Sequence, residues 1–98
     1  MSAIEVYGAR WSAESNQLLQ HLRLLEVPHR YVDIDDDGAA AARVERWNRG
    51  ERRIPTVVID PGGEETVLAR PASRELDREL SRRGLLPIVP ASGEPTEI

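Results

Sequence analysis

The sequence predicts an α/β fold, a four-stranded mixed sheet covered by helices on both faces. Three observations predict it. Strand-like apolar runs and helix-spaced apolar stretches follow one another in the order β-α-β-α-β-β-α. The run Thr56-Val57-Val58-Ile59 is almost continuously apolar, as a strand covered on both sides must be. A short turn, Pro61-Gly62-Gly63, joins that run to the next and makes the last pair an antiparallel hairpin, whereas the helix between the first two strands makes them parallel.

Each element has its own local signal. Ala3-Ile4-Glu5-Val6-Tyr7 is a β-rich run ending at Gly8. From Ser12, a good N-cap residue, Leu18, Leu19, Leu22 and Leu25 recur at helical spacing, and Pro28 closes the stretch. His29-Arg30-Tyr31-Val32-Asp33-Ile34 reads as the second strand. The acidic turn Asp35-Asp36-Asp37-Gly38 precedes an alanine-rich helix from Ala39 to Asn48, which Asp37 can cap and Gly50 ends, with Val44 and Trp47 as core. Glu65-Thr66-Val67-Leu68 is the fourth strand. The last helix opens at Pro71-Ala72-Ser73, carries Leu76 and Leu80 one turn apart, and stops at Gly84. Residues 1–86 thus form one domain, and 87–98, with Pro87, Pro90 and Pro95, read as a loose tail.

Composition narrows the functions. The 98 residues are 40% hydrophobic and 31% charged, the balance of a globular chain with one modest core. A net charge of −4 gives nucleic acid no electrostatic footprint. No apolar run is long enough to span a membrane and the N-terminus lacks the build of a signal peptide, so a soluble cytoplasmic protein is expected. With no cysteine there is no disulfide framework, thiolate metal site or thiol nucleophile. His21 and His29 have no second ligand at metal-site spacing, so no metal is expected. A serine hydrolase lacks its Gly-x-Ser-x-Gly elbow.

The loop Tyr7-Gly8-Ala9-Arg10-Trp11-Ser12-Ala13-Glu14-Ser15, directly after the first strand, resembles the Trp-Cys-x-x-Cys active-site turn of glutaredoxins and mycoredoxins. Ile54-Pro55-Thr56, before the third strand, is similar to the Val-Pro-Thr of the same family. The resemblance runs from about Ile4 to Leu86 and implies the thioredoxin fold. It puts Ser12 on the nucleophile and Ser15 on the resolving position. A thiol of pKa about 8.5 can be turned into a thiolate at a helix N-terminus, but a serine hydroxyl cannot, and oxygen forms no disulfide. The family's thiol-disulfide chemistry is therefore absent from the chain as it stands, and no catalytic residue is expected.

What the resemblance leaves is binding. It implies a cis bond at Pro55, with the Ile54 backbone offered to an extended thiol peptide as a short added strand. It matches Ala72 and Ser73 to the segment that meets the γ-glutamyl end of glutathione, and it places Trp11 on the exposed lip. Glutathione or mycothiol is the implied ligand, with no further cofactor. The departures are Ala9, Ala13 and Glu14, where the family has lysine and a Pro-Tyr or Gly-Tyr pair. All 13 basic residues are arginine, and Arg10, Arg52 and Arg53 flank the two motifs. They form either one pocket for a carboxylate or a solvated set paired with Glu14 and Glu51. Three functions stay open: a redox-inactive module binding a thiol or a partner peptide, a cysteine-to-serine form of an active oxidoreductase, and an interaction domain without a thiol-related role. A monomer or weak homodimer fits all three.

Overall fold

A computed structural model describes residues 3–86; the segment 87–98, set apart above as a tail, lies outside the described residues, as do Met1 and Ser2. The elements are β1 (Ile4–Gly8), α1 (Ala13–Leu24), β2 (Arg30–Asp33), α2 (Gly38–Trp47), β3 (Thr56–Ile59), β4 (Thr66–Ala69) and α3 (Ser73–Arg82). The sheet order is β2-β1-β3-β4. β1 runs parallel to β2 and antiparallel to β3, and β3 and β4 form the expected antiparallel hairpin.

Strand alternation divides the apolar residues into two layers, since successive side chains point to opposite faces. Ile4, Val6, Val57 and Ile59 pack on one face with Leu18 and Leu22 of α1 and with Leu76 and Leu80 of α3. Tyr7, Val32 and Val58 pack on the other face with Ala40, Ala41 and Val44 of α2. The central strand β3 is buried along its whole length, which explains its unbroken apolar sequence. Fully burying each of these branched side chains contributes about 1.5–3 kcal/mol.

Capping sets the helix ends. The Ser12 and Asp37 side chains accept from the Ser15 and Ala40 amides at the starts of α1 and α2. α1 stops at Leu24 because Glu26 turns left-handed (φ 56°), letting the Glu26 amide donate to the Arg23 carbonyl and the Val27 amide to that of Leu22. This is a Schellman closure, and Val27 and Leu22 share the core cluster beneath it. α3 ends alike at Gly84, with Leu85 donating to Leu80.

β2 is shorter than expected by one residue at each end, α2 starts and stops one residue early, and β4 and Trp47 differ for definable reasons. β4 starts one residue late because Glu65 belongs to the turn: its amide donates to the Gly63 carbonyl and its carboxylate accepts from the Gly62 amide. Trp47 is half-buried rather than core. Its ring meets Tyr7 edge-on, centroids 5.3 Å apart at 77°.

Candidate functional site

The turn after β1 is closed by the Ser12 amide donating to the Ala9 carbonyl at 3.0 Å. Ser12 sits at the helix N-cap, its Oγ 3.1 Å from the Ser15 amide that donates to it, and is only 5% exposed. Ser15 is wholly buried, and its Oγ has no hydrogen-bond partner. Neither hydroxyl is presented to solvent as a nucleophile would be. One is occupied by capping, and the other is enclosed.

Arg10 and Trp11 lean away toward the acidic turn after β2. The Arg10 amide donates to Asp33 Oδ2 at 3.2 Å and its guanidinium to Asp36 at 2.6 Å. Trp11 is 72% exposed and its indole N–H donates to Asp35 at 2.7 Å. Burial works to raise the Asp33 carboxyl. Hydrogen bonds from the Asp35 amide, the Tyr31 hydroxyl and the Arg10 amide, with the Arg10 charge, outweigh burial and hold it below the ordinary carboxylate value. Its partner Tyr31 moves the other way, pushed up to about 12 by burial and then by the adjacent Asp33.

The Ile54–Pro55 peptide bond is cis. Tyr7 pairs with Thr56 in the β1–β3 register, so this turn lies at the same sheet end as the Ala9–Ser12 turn, and Ile54 shares a buried cluster with Ala9. Among the described residues, the Ile54 amide and carbonyl form no hydrogen bond. The Pro55 carbonyl accepts from the Arg70 amide at 2.7 Å, where β4 turns toward α3.

Beside this turn opens a cleft of about 470 Å³ between α1 and α3. Glu14, Gln17 and His21 line it from α1, Pro55 from the turn, and Arg70 through Ser73 from the β4–α3 joint, over Leu18 and Leu76. The expected Pro55, Ala72 and Ser73 come together here. Arg10, Trp11, Ser12, Arg53 and Ile54 do not line it. Ala72 caps α3 without a side-chain hydrogen bond, which leaves the first amides of that helix uncapped by a side chain.

The shared arginine pocket is not formed, because each arginine has a nearer carboxylate. Arg10 is taken by Asp36, Arg52 by Glu45 at 2.6 Å and Arg53 by Glu51 at 2.8 Å. The cleft's cation is instead Arg70, whose guanidinium meets Glu14 at 2.5 Å. His21, set aside above as a metal ligand, lines the same cleft and bonds Asp77 of α3 at 2.8 Å. The signal that could have found Arg70 was its position directly before Pro71-Ala72-Ser73. His29 bonds only its own loop, at the Val27 carbonyl. Among the described residues no cluster of histidine, aspartate and glutamate is arranged to hold a metal, and no helix is long and apolar enough to cross a membrane.

Comparison with known proteins agrees with this geometry at the level of the fold. No protein-family model matches the sequence, and no curated protein does. Among solved structures, the chain is similar to a thioredoxin-like protein crystallised as a point mutant, at 24% identity and TM-score 0.62, over 87% of this chain and 99% of that one. It is similar to buckwheat glutaredoxin in complex with glutathione at 18% identity and TM-score 0.64, over 87% and 76% of the two chains. The holo form of a glutaredoxin from Populus tremula × tremuloides matches at 17% identity and TM-score 0.60, over 88% and 81%. The chain has the thioredoxin-like fold.

Proposed function

We propose that the chain is a glutaredoxin-like module without thiol chemistry of its own. It binds a low-molecular-weight thiol, glutathione or mycothiol, or an extended segment of a partner protein, at the Ile54–Pro55 turn. The observation that carries this reading is the unpartnered amide and carbonyl of Ile54 beside the cleft. An extended peptide adds there as a short strand. The uncapped amides of α3 at Ala72 and Ser73 favour a carboxylate on the far side. Likeness to a glutaredoxin bound to glutathione makes that tripeptide the first ligand to test.

Affinity is modest on this reading. Each main-chain hydrogen bond contributes about 1 kcal/mol net. Without a covalent sulfur link, a dissociation constant of about 1 mM or weaker follows. A titration with glutathione followed by amide resonances should move Thr56, Arg70 and Ser73, while a coupled disulfide-reduction assay shows no turnover. Resonances that stay in place at tens of millimolar ligand, or turnover by the pure protein, would overturn the reading.

A second reading makes the two serines replacements for the cysteines of an active thiol-disulfide oxidoreductase. One observation favours it. The Ser15 side chain occupies a site with no hydrogen-bond partner, where a cysteine, which behaves as a small hydrophobe, would leave no orphaned hydroxyl. Glutathione-dependent reduction of a mixed disulfide by the Ser12→Cys, Ser15→Cys protein is its test.

A further inference from the structure

β4 closes the sheet order β2-β1-β3-β4, so one of its sides has no strand beside it among the described residues. Two hydrogen bonds show which groups face that side. The Arg70 amide donates to the Pro55 carbonyl and the Asp60 amide to that of Ala3, which fixes the alternation along both ladders of β3. Thr66 and Leu68 therefore turn their amides and carbonyls to β3, while Val67 and Ala69 turn theirs outward. The other edge strand, β2, is guarded by charge, with Arg30 and Asp33 among its residues. β4 is Thr-Val-Leu-Ala, without charge or proline, and Ala69 is exposed. Its charges stand just past its ends, Glu64 and Glu65 before it and Arg70 after it.

From this edge we propose that β4 pairs with β4 of a second copy of the chain, antiparallel about a two-fold axis through Val67. A strand acidic at one end and basic at the other complements itself only in the antiparallel direction. In this register Val67 faces Val67, and Thr66 stands opposite Leu68. Each Ala69 amide meets the other copy's Glu65 carbonyl, the Glu65 amide being held by Gly63. The Glu64 end of one copy then lies beside the Arg70 end of the other. An axis through Leu68 would instead set Glu65 against Pro71, which has no amide to donate. Arg70 already meets Glu14, but its side chain is 53% exposed and has room for a second carboxylate. About four main-chain hydrogen bonds make this a weak dimer, with a dissociation constant on the order of 1 mM.

Sedimentation equilibrium of the full chain should show an average mass that climbs from monomer toward dimer between about 0.05 and 2 mM. Ala69→Pro removes an outward amide without touching the ladder to β3, and should hold the chain monomeric. Ala69→Lys, a charge at an exposed edge position, should do the same without straining the fold. Glu64→Lys should weaken association about two- to fivefold. The chain has no cysteine, so added ones report the register. On mild oxidation, Thr66→Cys mixed with Leu68→Cys should form the mixed disulfide faster than either links to itself. A monomer at 2 mM, or association unchanged in Ala69→Pro and Ala69→Lys, overturns the proposal. So does slow amide exchange at Val67 and Ala69 in a monomer, which would put another segment of the same chain on this edge. Faster self-linking of Leu68→Cys overturns the register.

Discussion

Gly8 and Ser15 face each other so closely that a methyl group on residue 8 would lie 2.6 Å from the Ser15 Oγ and 2.9 Å from its Cβ. The first strand and first helix can approach this far because one partner has no side chain and the other has a short one. Gly8→Ala should therefore destabilise the domain by about 1–3 kcal/mol, as overpacking does. Urea denaturation of that variant, and of the same change beside Ser15→Gly, checks the cause. No recovery of the steric loss in the pair would mean that something else at Gly8 is responsible.

Ser15 itself should be better as alanine. Its hydroxyl is buried without a partner, and its amide, which donates to Ser12, is untouched by the change. We expect Ser15→Ala to raise stability by about 1 kcal/mol, which for a domain of this size is a melting temperature several degrees higher, roughly 4–8 °C. A lower melting temperature would show that the hydroxyl finds a water or carbonyl in solution.

A cysteine at the helix cap reports on the local field. Ser12→Cys should give a thiol titrating below the reference of about 8.5, because it caps α1 at the positive end of the helix. It should also react slowly at every pH, since the position is 5% exposed. Adding Glu14→Gln should lower the midpoint further by removing a nearby negative charge. The pH dependence of alkylation measures both, and a midpoint above 8.5 would mean that enclosure outweighs the helix.

Acid should weaken the domain partly through Asp33. Its folded-state value lies below the ordinary carboxylate value of about 4, so its contribution is complete above that value and disappears as pH falls through the folded one. Asp33→Asn should accordingly be less stable than wild type at pH 7 and lose less on acidification below pH 4. Parallel acid limbs for the two proteins in pH-dependent denaturation would contradict this.

Alkali acts through the other end of the same hydrogen bond. Tyr31, pushed up to about 12, keeps its full contribution below pH 10 and loses it as pH rises from 10 toward 12. Ultraviolet titration should show its phenolate forming late, and Tyr31→Phe should remove that late component. A tyrosinate signal complete by pH 10.5 would refute the assignment.

The elements were legible because each is written in consecutive residues. Ser12 and Asp37 announce caps, Thr56-Val57-Val58-Ile59 announces a strand covered twice, and Pro61-Gly62-Gly63 announces its turn. The cleft was legible only on one side, at Pro55, Ala72 and Ser73. Its charged contacts join α1 to residues 56 positions away, Glu14 to Arg70 and His21 to Asp77, and no periodicity encodes such pairs. The arginine pocket failed for a local reason. The pairing of this arginine set with Glu51 was legible and is made by Arg53, two residues away, but Glu14 goes to Arg70, while Arg52 takes Glu45 and Arg10 takes Asp36 from across the fold.

The bond from the Arg70 amide to the Pro55 carbonyl has a mechanical consequence. It rivets the turn before β3 to the joint that launches α3, so floor and one wall of the cleft form a single fixed jaw. α1 faces that jaw across Glu14–Arg70 and His21–Asp77, and beneath them its Leu18 and Leu22 share one buried core with Leu76 and Leu80 of α3. Widening the cleft therefore means parting α1 from α3 against two polar contacts and the core that both helices share with the sheet.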